Sequence, residues 1–189
     1  MKKYITLLDV MIVAFLWFFC VYRGIVLRSN YPDPPISTYQ YGETISLDNY
    51  LITFSGWRWG DDALIEKEIP DYQYHYADVA GNAYDVRVGF IEFTVEKISE
   101  GEEILDLTNV YFSSGAWGNQ FDMELFYLLN PGKNFMTIKL DAGEEQQVIV
   151  PLVMIEAQFT ESQWEYIDDR QIYIDLQYYP EQYQFVCPR

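Results

Sequence analysis

The chain has 189 residues and a formal net charge of −17; half of its residues are hydrophobic and 18% are aromatic. This composition excludes a disordered protein, and the length suits one domain rather than two. Four of the 12 Lys/Arg residues lie in or beside an N-terminal apolar segment: Lys2, Lys3, Arg23 and Arg28. Asn30 and the residues after it therefore contain 8 Lys/Arg against 28 Asp/Glu, a net of −20, since Asp9 is the only earlier acid.

A charge of this size and sign limits the partners that the chain can attract. Nucleic acid phosphates and anionic lipid head groups are repelled, so we expect no nucleic acid partner. A basic protein, a basic peptide or a divalent cation would be attracted. The alternative is that the acidity only keeps a Tyr-rich surface soluble.

The N-terminal apolar segment predicts a transmembrane helix. Val10–Tyr22 carries no charge, and Tyr4–Tyr22 as a helix would span roughly 28 Å, close to the hydrocarbon thickness of a bilayer. A cleaved signal peptide is the alternative, but the segment ends in bulky residues instead of a small-residue cleavage site. A lipoprotein signal would need a small residue before Cys20, where Phe19 stands. We therefore predict an uncleaved signal anchor over residues 1–28.

The orientation of this anchor depends on cations that nearly balance across it. Lys2 and Lys3 lie on one side, and Arg23 and Arg28 on the other. The very short N-terminal flank favours a cytoplasmic N-terminus, which predicts a single-pass protein of the cell membrane with an extracellular domain. Residues 29–41, with three prolines, predict a semi-rigid stalk, and residues 42–189 an extracytoplasmic domain.

Alternating apolar and polar residues predict strands in the first half of that domain. Residues 44–47 and 50–54 flank a turn-prone Asp-Asn pair and fit two adjacent strands or one bent strand. Val86–Val95 predicts the clearest strand, with a change of face and a bulge at Gly89. Ile104–Phe112 begins the next strand.

The second half mixes strands with short helices. Asp122–Leu129 favours a helix capped by Asp122 over a buried strand. Phe135–Leu140 and Gln147–Met154 predict a hairpin, with Pro151 marking an edge or a kink.

Two pairs of residues can close a capping box on a further short helix, Thr160 with Gln163 or Ser162 with Glu165. Gln171–Tyr178 predicts a final strand with Ile172, Ile174 and Leu176 on one face. About seven short strands with one or two short helices predict a mainly β, antiparallel sandwich.

Several short motifs occur in a recognisable order: Gly42-Glu43-Thr44, Val86–Val95, Leu140–Glu144 leading into Val148–Leu152, and Tyr179-Pro180-Glu181. Together they resemble the immunoglobulin-like extracellular domains of unknown function on anchored surface proteins and lipoproteins of Gram-positive bacteria. The resemblance covers about residues 40–185. It implies an immunoglobulin-like fold and a surface location, and it carries over no functional residue.

Catalytic chemistry has few candidates in this sequence. His75 is the only histidine, so any Ser-His-Asp or Cys-His arrangement would require it, and we expect it to be a surface residue. Paired carboxylates at positions 61–62, 102–103, 144–145 and 168–169 occur in predicted turns, where acids are common. Calcium is the one cation that acidic loops would suit, but the alternating spacing of a calcium loop is missing. We expect no catalytic residue, cofactor or metal.

The aromatic cluster is the candidate partner or ligand surface, and two acids belong to it. Its members are Trp57, Trp59, Asp61, Asp62, Tyr72, Tyr74, Tyr76 and Trp117. Exposed Trp and Tyr rings anchor protein interfaces or stack on sugars. The alternative is that these rings pack in the core of a sandwich.

These observations favour a non-enzymatic, membrane-anchored binding domain that recognises a protein partner by an acidic and aromatic surface. The partner would be cationic, as in an envelope complex or in the neutralisation of a toxin by an immunity protein. The first alternative is a carbohydrate or cell-wall binding module that uses exposed aromatics, and the second is a hydrolase.

Overall fold

A computed structural model describes residues 2–60, 65, 75–134, 137–177 and 180–189, with side chains from Asp9 onward. It contains two compact units, Met1–Pro35 and Ile36–Arg189. The first unit holds helix α1, Lys2–Asn30, which continues beyond the predicted end at Tyr22. Its segment Asp9–Asn30 is long and apolar enough to cross a membrane, a property that a signal sequence shares.

The second unit is a β-sandwich, which confirms the predicted fold class. The described residues form nine strands: β1 Ile36–Tyr39, β2 Thr44–Leu47, β3 Tyr50–Trp59, β4 Val86–Lys97, β5 Tyr111–Ser114, β6 Trp117–Gln120, β7 Glu145–Ile155, β8 Tyr173–Gln177 and β9 Gln182–Val186. One sheet has the order β1-β9-β8-β5-β6 and the other β2-β3-β4-β7. Every strand pair is antiparallel except β1 with β9. The immunoglobulin-like topology stays a prediction.

Two short helices follow the local signals in the sequence. Helix α2, Met123–Leu129, is capped by Asp122, whose carboxylate accepts from the N–H of Leu125 at 2.9 Å. Helix α3, Glu161–Trp164, begins after Thr160, whose N–H donates to the Gln163 side chain at 3.0 Å. The predicted helix at 122–129 and the first of the two capping boxes are therefore confirmed.

The buried side chains of strand β4 change from one face to the other near Gly89, as predicted. Its odd-numbered residues Ile91, Phe93 and Val95 enter the core between the sheets, and its even-numbered residues Val86, Val88 and Phe90 form a second cluster on the outer face. Its register with β7 is regular throughout. The bulge predicted at Gly89 is wrong; the irregularity lies in β3, between Phe54 and Gly56. The change of face needs no bulge, because the first half of the strand packs apolar side chains into the outer cluster and the second half packs them into the core between the sheets.

Strand β7 is the edge of its sheet, as Pro151 predicted, but its predicted hairpin partner is wrong. Of the predicted strand 135–140, residues 135 and 136 lie outside the described residues, and Ile138 makes only an isolated bridge with Leu105. Strand β7 instead pairs with β4. Lys133 Nζ donates to the carbonyl of Gln147, so the edge carbonyl there has a partner.

Other strand boundaries differ from the predictions. Strands β2 and β3 are two strands joined at Asp48-Asn49, the first of the two alternatives. Strand β1 lies within the range predicted as a stalk, and β5 begins only at Tyr111, near the end of the predicted strand 104–112. Ile172, just before β8, and Ile174 and Leu176 within it all pack in the core, which agrees with the single face predicted for them. Strand β9 follows β8, so the prediction of β8 as the final strand is wrong.

Candidate functional site

Trp57 and Trp59 lie at the end of β3 and are half-buried. Their rings meet edge to face with centroids 5.1 Å apart, and both pack against the core between the sheets. The Trp57 ring covers Gly89 so closely that a Cβ there would lie 2.7 Å from two ring atoms. These two side chains share one face, as their spacing predicted, and that face is turned towards the core.

The other predicted aromatic positions are dispersed. Trp117 begins β6, and its indole N–H donates to Gln158 at 3.0 Å. Tyr76 packs against the outer cluster and its hydroxyl donates to the Asp122 carboxylate. Four predicted members lie outside the described residues: Asp61, Asp62, Tyr72 and Tyr74.

Sequence reasoning missed an aromatic cluster around Phe159. Its ring lies 5.9 Å from that of Trp117 and 5.8 Å from that of Trp164. The Arg170 guanidinium sits 5.2 Å from the Phe159 ring centroid and donates to the Ser114 carbonyl at 2.6 Å. Trp117 and Ser114 lie more than 40 positions before Phe159, so no periodicity indicated this cluster. Its contacts attach the segment after β7 to strands β5 and β6 of the five-stranded sheet.

The strand pairings place Trp59 and Trp117 at the opposite end of the sandwich from one group of exposed acids. Trp59 pairs with Gly89 at the start of β4, and Trp117 follows the turn at the end of β5. At the other end, Leu47 pairs with Tyr50, and Tyr50 with Lys97. The loops at that second end, which we call the acidic end, are residues 48–49, 98–110 and 141–145.

The acidic end exposes a dense group of carboxylates. Eight acids are exposed there: Asp48, Glu100, Glu102, Glu103, Asp106, Asp141, Glu144 and Glu145. Among the ion pairs that the described residues form with one another, none involves these eight, and the four found join Arg28 with Asp33, Arg58 with Glu92, His75 with Glu124 and Arg87 with Asp168. The acidic end therefore presents negative charge that no Lys or Arg side chain of the described residues pairs with.

Lys97 lies at this end but directs its charge inward. It is only 2% exposed, and its ammonium donates to the carbonyls of Gly101 at 2.6 Å and Glu103 at 3.4 Å. Hydrogen bonds from the Glu103 backbone and the Asn49 side chain, with the charge of Lys97, hold the pKa of the Glu103 carboxyl below its usual range. That carboxylate remains ionised at neutral pH.

A groove opens between the two sheets at the acidic end. Its volume is about 370 Å³. Buried Leu105 and Leu176 form its floor, and exposed Asp48, Asp106 and Asn109 form its rim. Leu47, Ile104 and Gln177 complete the lining. We call this the Asp48–Asp106 groove.

Two features of Asp48 and Asp106 fix their positions. Asp48 has φ of 52° in the two-residue turn between β2 and β3, a conformation that Asp tolerates better than most residues. Asp106 accepts the N–H of Thr108 at 2.7 Å, which orders the loop on the opposite rim.

Other candidate chemistry does not assemble into a site in the described part of the chain. No group of three or more His, Cys, Asp or Glu side chains there is arranged to hold a metal ion. His75 is exposed, as predicted, with Nδ1 3.9 Å from a Glu124 carboxylate oxygen. Cys187 is buried, and desolvation raises the pKa of its thiol far above the usual range.

Residues 66–183 match a family described as Domain of unknown function (DUF5028). The chain belongs to the DUF5028 family. The matched region includes two of the three acidic loops, and Asp48 precedes it. No curated protein matches the chain.

Two solved structures are similar to this DUF5028 protein at the level of fold. One is a functionally unknown protein from Listeria monocytogenes, with 10% identity, a TM-score of 0.46, and coverage of 78% of this chain and 80% of the other. The second is an uncharacterized β-sandwich protein from Clostridium difficile, with 12% identity, a TM-score of 0.43, and coverage of 80% and 95%.

Proposed function

We propose that this protein is a non-enzymatic, membrane-anchored binding domain that docks a basic protein partner at its acidic end. Helix α1 acts as an uncleaved single-pass anchor, and the sandwich lies outside the cytoplasm. The observation that supports this most strongly is the group of eight exposed carboxylates, which form no ion pair with Lys or Arg side chains of the described residues. A partner with exposed lysines or arginines supplies the missing cations.

Physical chemistry supports a protein partner of this kind. One charge pair 4 Å apart in water is worth about 1 kcal/mol, and several together increase the association rate and select for cationic partners. Such attraction is screened beyond about 8 Å at physiological salt. Partner capture should therefore depend strongly on ionic strength.

The non-enzymatic part of the proposal has its own support. Cys187 is 2% exposed, and its raised thiol pKa disfavours the nucleophilic thiolate. His75 is exposed, and its Nδ1 lies 3.9 Å from a carboxylate oxygen of Glu124 in α2.

The direct test uses the full chain in zwitterionic micelles and a capped peptide of about eight lysines. We expect binding that weakens at least tenfold between about 20 and 300 mM salt. One variant neutralises four acids of the acidic end: Glu100→Gln, Glu102→Gln, Asp141→Asn and Glu145→Gln. The matched control neutralises four exposed acids at the opposite end: Glu156→Gln, Glu161→Gln, Glu165→Gln and Asp169→Asn.

The two variants have the same net charge, so only location separates them. The first should lose most of the binding and the second little. Equal losses would show that bulk charge, and not the acidic end, attracts the peptide. An absence of binding by the unaltered chain would contradict the proposed function itself.

Anchoring and orientation need a separate measurement. We expect the protein to stay in the membrane fraction after alkaline extraction, with an intact mass that retains residues 1–28. Protease added to intact cells should digest the sandwich. A shortened N-terminus or complete protection from protease would contradict this part of the proposal.

A further inference from the structure

We infer that the Asp48–Asp106 groove binds one lysine or arginine side chain of the basic partner. This inference rests on the proposed function and adds to it the position and chemistry of a central contact.

The lining of the groove is apolar at its floor and negatively charged at its rim. Leu105 and Leu176 are buried at its floor, at 4% and 5% exposure. The carboxylates of Asp48 and Asp106 stand at its exposed rim. A side chain that complements this lining has an apolar stem, which reaches the floor, and a cationic head, which stays at the rim.

Lysine and arginine side chains have that form. Their methylene stems pack along apolar surface while the charged head stays at the solvent boundary. A volume of about 370 Å³ lies at the small end of the range for ligand clefts, roughly 300 to 1,000 Å³, and suits a side chain better than a large cofactor.

Lys97, the buried lysine at this end, does not occupy the groove with its ammonium group. Lys97 donates to the carbonyls of Gly101 and Glu103, on the inner side of the loop that carries Asp106. These bonds hold the loop in place, and Lys97 makes no hydrogen bond to the carboxylate of Asp48 or Asp106. The groove is therefore preorganised and negatively charged.

The experiment titrates the ¹⁵N-labelled full chain, in zwitterionic micelles, with a capped Gly-Lys-Gly peptide and follows amide chemical shifts. We expect the largest shifts at Leu47, Asp48, Asp106 and Leu176. A second capped peptide replaces lysine by 2,3-diaminopropionic acid, which keeps the charge and removes three methylenes. It should bind at least about threefold more weakly, because it cannot reach the apolar floor.

A matched pair of variants separates the groove from the general charge. Asp48→Asn with Asp106→Asn removes two charges while Asn tolerates the left-handed turn and can still accept from Thr108. Glu102→Gln with Glu145→Gln removes two charges outside the groove. The first pair should raise the Kd of the lysine peptide about fivefold or more, and the second less than twofold. A dispersed amide spectrum confirms that each variant is folded.

Each outcome has a distinct meaning. Equal effects of the two variant pairs, or equal binding of the two peptides, would overturn the groove as the binding site while leaving the acidic end as the docking surface. No binding of either peptide to the unaltered chain, together with no binding of the octalysine peptide, would overturn the groove and the proposed function together. No shift from the tripeptide, with salt-sensitive octalysine binding, would overturn the groove alone.

Discussion

The side-chain amide of Asn130 pairs with the main chain of Ile149 in the way that a neighbouring strand would. Asn130 Nδ2 donates to the Ile149 carbonyl at 2.6 Å, and Asn130 Oδ1 accepts from the Ile149 N–H at 2.9 Å. Two residues further along, the Asp122 N–H donates to the Pro151 carbonyl at 3.4 Å. The edge of β7 is thus covered by the segment around α2, which protects it from pairing with another chain.

Replacing Asn130 by leucine should destabilise the sandwich by about 2–5 kcal/mol. The change nearly conserves volume but leaves the N–H and carbonyl of Ile149 without partners, and each unsatisfied buried group costs about 1–3 kcal/mol. Urea unfolding of the full chain in micelles, followed by tryptophan fluorescence, measures the loss. Asn119→Leu on edge strand β6 is the control and should cost under about 1 kcal/mol. Similar values for the two variants would contradict the role of Asn130.

Lys97→Met should release the loop that carries Asp106. The variant keeps an unbranched side chain, one atom shorter, but loses the charged hydrogen bonds to Gly101 and Glu103. Hydrogen bonds of this kind contribute about 1.5–3 kcal/mol each, and the loss is partly offset because a charge is no longer buried. We expect a net loss of about 1–2 kcal/mol and faster hydrogen exchange at residues 98–106. The exposed Lys139 gives the control, Lys139→Met, which should change neither. Unchanged exchange in Lys97→Met would show that other contacts hold this loop.

Gly89→Ala should displace the Trp57 ring. A Cβ at this position would lie 2.7 Å from two ring atoms, so the strand or the ring must move, at a cost of about 1–3 kcal/mol. In a Trp57→Leu background the same substitution should cost much less, because the obstructing ring is gone. A double-mutant cycle measured by chemical unfolding gives the coupling. Additive costs would mean that Trp57 is not packed on Gly89 in solution.

Cys187 should resist alkylation until the domain unfolds. Burial raises the pKa of its thiol, so the folded state keeps the thiol protonated while the unfolded chain ionises near pH 8.5. A Cys20→Ser background isolates this thiol. Iodoacetamide at pH 8 should modify it in urea and not in buffer.

The same pKa shift sets the sign of a pH dependence. Because the folded-state pKa is above the unfolded value, the contribution of Cys187 to stability is complete below about pH 8.5 and declines as the pH rises above it. The free energy of unfolding should fall less steeply in Cys187→Ala than in the parent between pH 8 and 10. Equal slopes would contradict the burial of the thiol.

The sequence predicts features that depend on neighbouring residues. The Asp122 cap, the Thr160 and Gln163 pair and the turn at Asp48-Asn49 were all predicted correctly. Each depends on contacts between residues only a few positions apart, so the local sequence is sufficient to predict it. The sandwich follows from many such strands and turns together.

The errors arise where a second layer decides the outcome. A bulge was predicted at Gly89 because the apolar residues of Val86–Val95 change face there, and the bulge is wrong although the change of face is correct. The outer cluster with Leu125 and Val153 explains those residues, and it depends on a helix more than 30 positions away. No local pattern carries that information.

The candidate site could be predicted only in part. The acids of the turns and the excess negative charge are visible in the sequence. Whether the turns at Asp48, Asp106 and Asp141 share one end depends on strand order, which local patterns do not specify. The predicted surface combined Trp57, Trp59 and Trp117 with Asp61 and Asp62, and these two acids lie outside the described residues. The eight exposed acids of the acidic end were not part of that prediction.

The parallel pairing of β1 with β9 has a consequence for biosynthesis. In its sheet β1 lies beside β9, with Ile36 opposite Gln182 and Tyr39 opposite Phe185. The ribosome makes β1 before every other strand described and β9 after them. Strand β1 therefore cannot pair with its neighbour until residues 182–186 have been synthesised. This long-range pairing raises the contact order of the domain and delays completion of the sheet. During that interval the nascent chain would expose Tyr39 and the edge of β1 to chaperones.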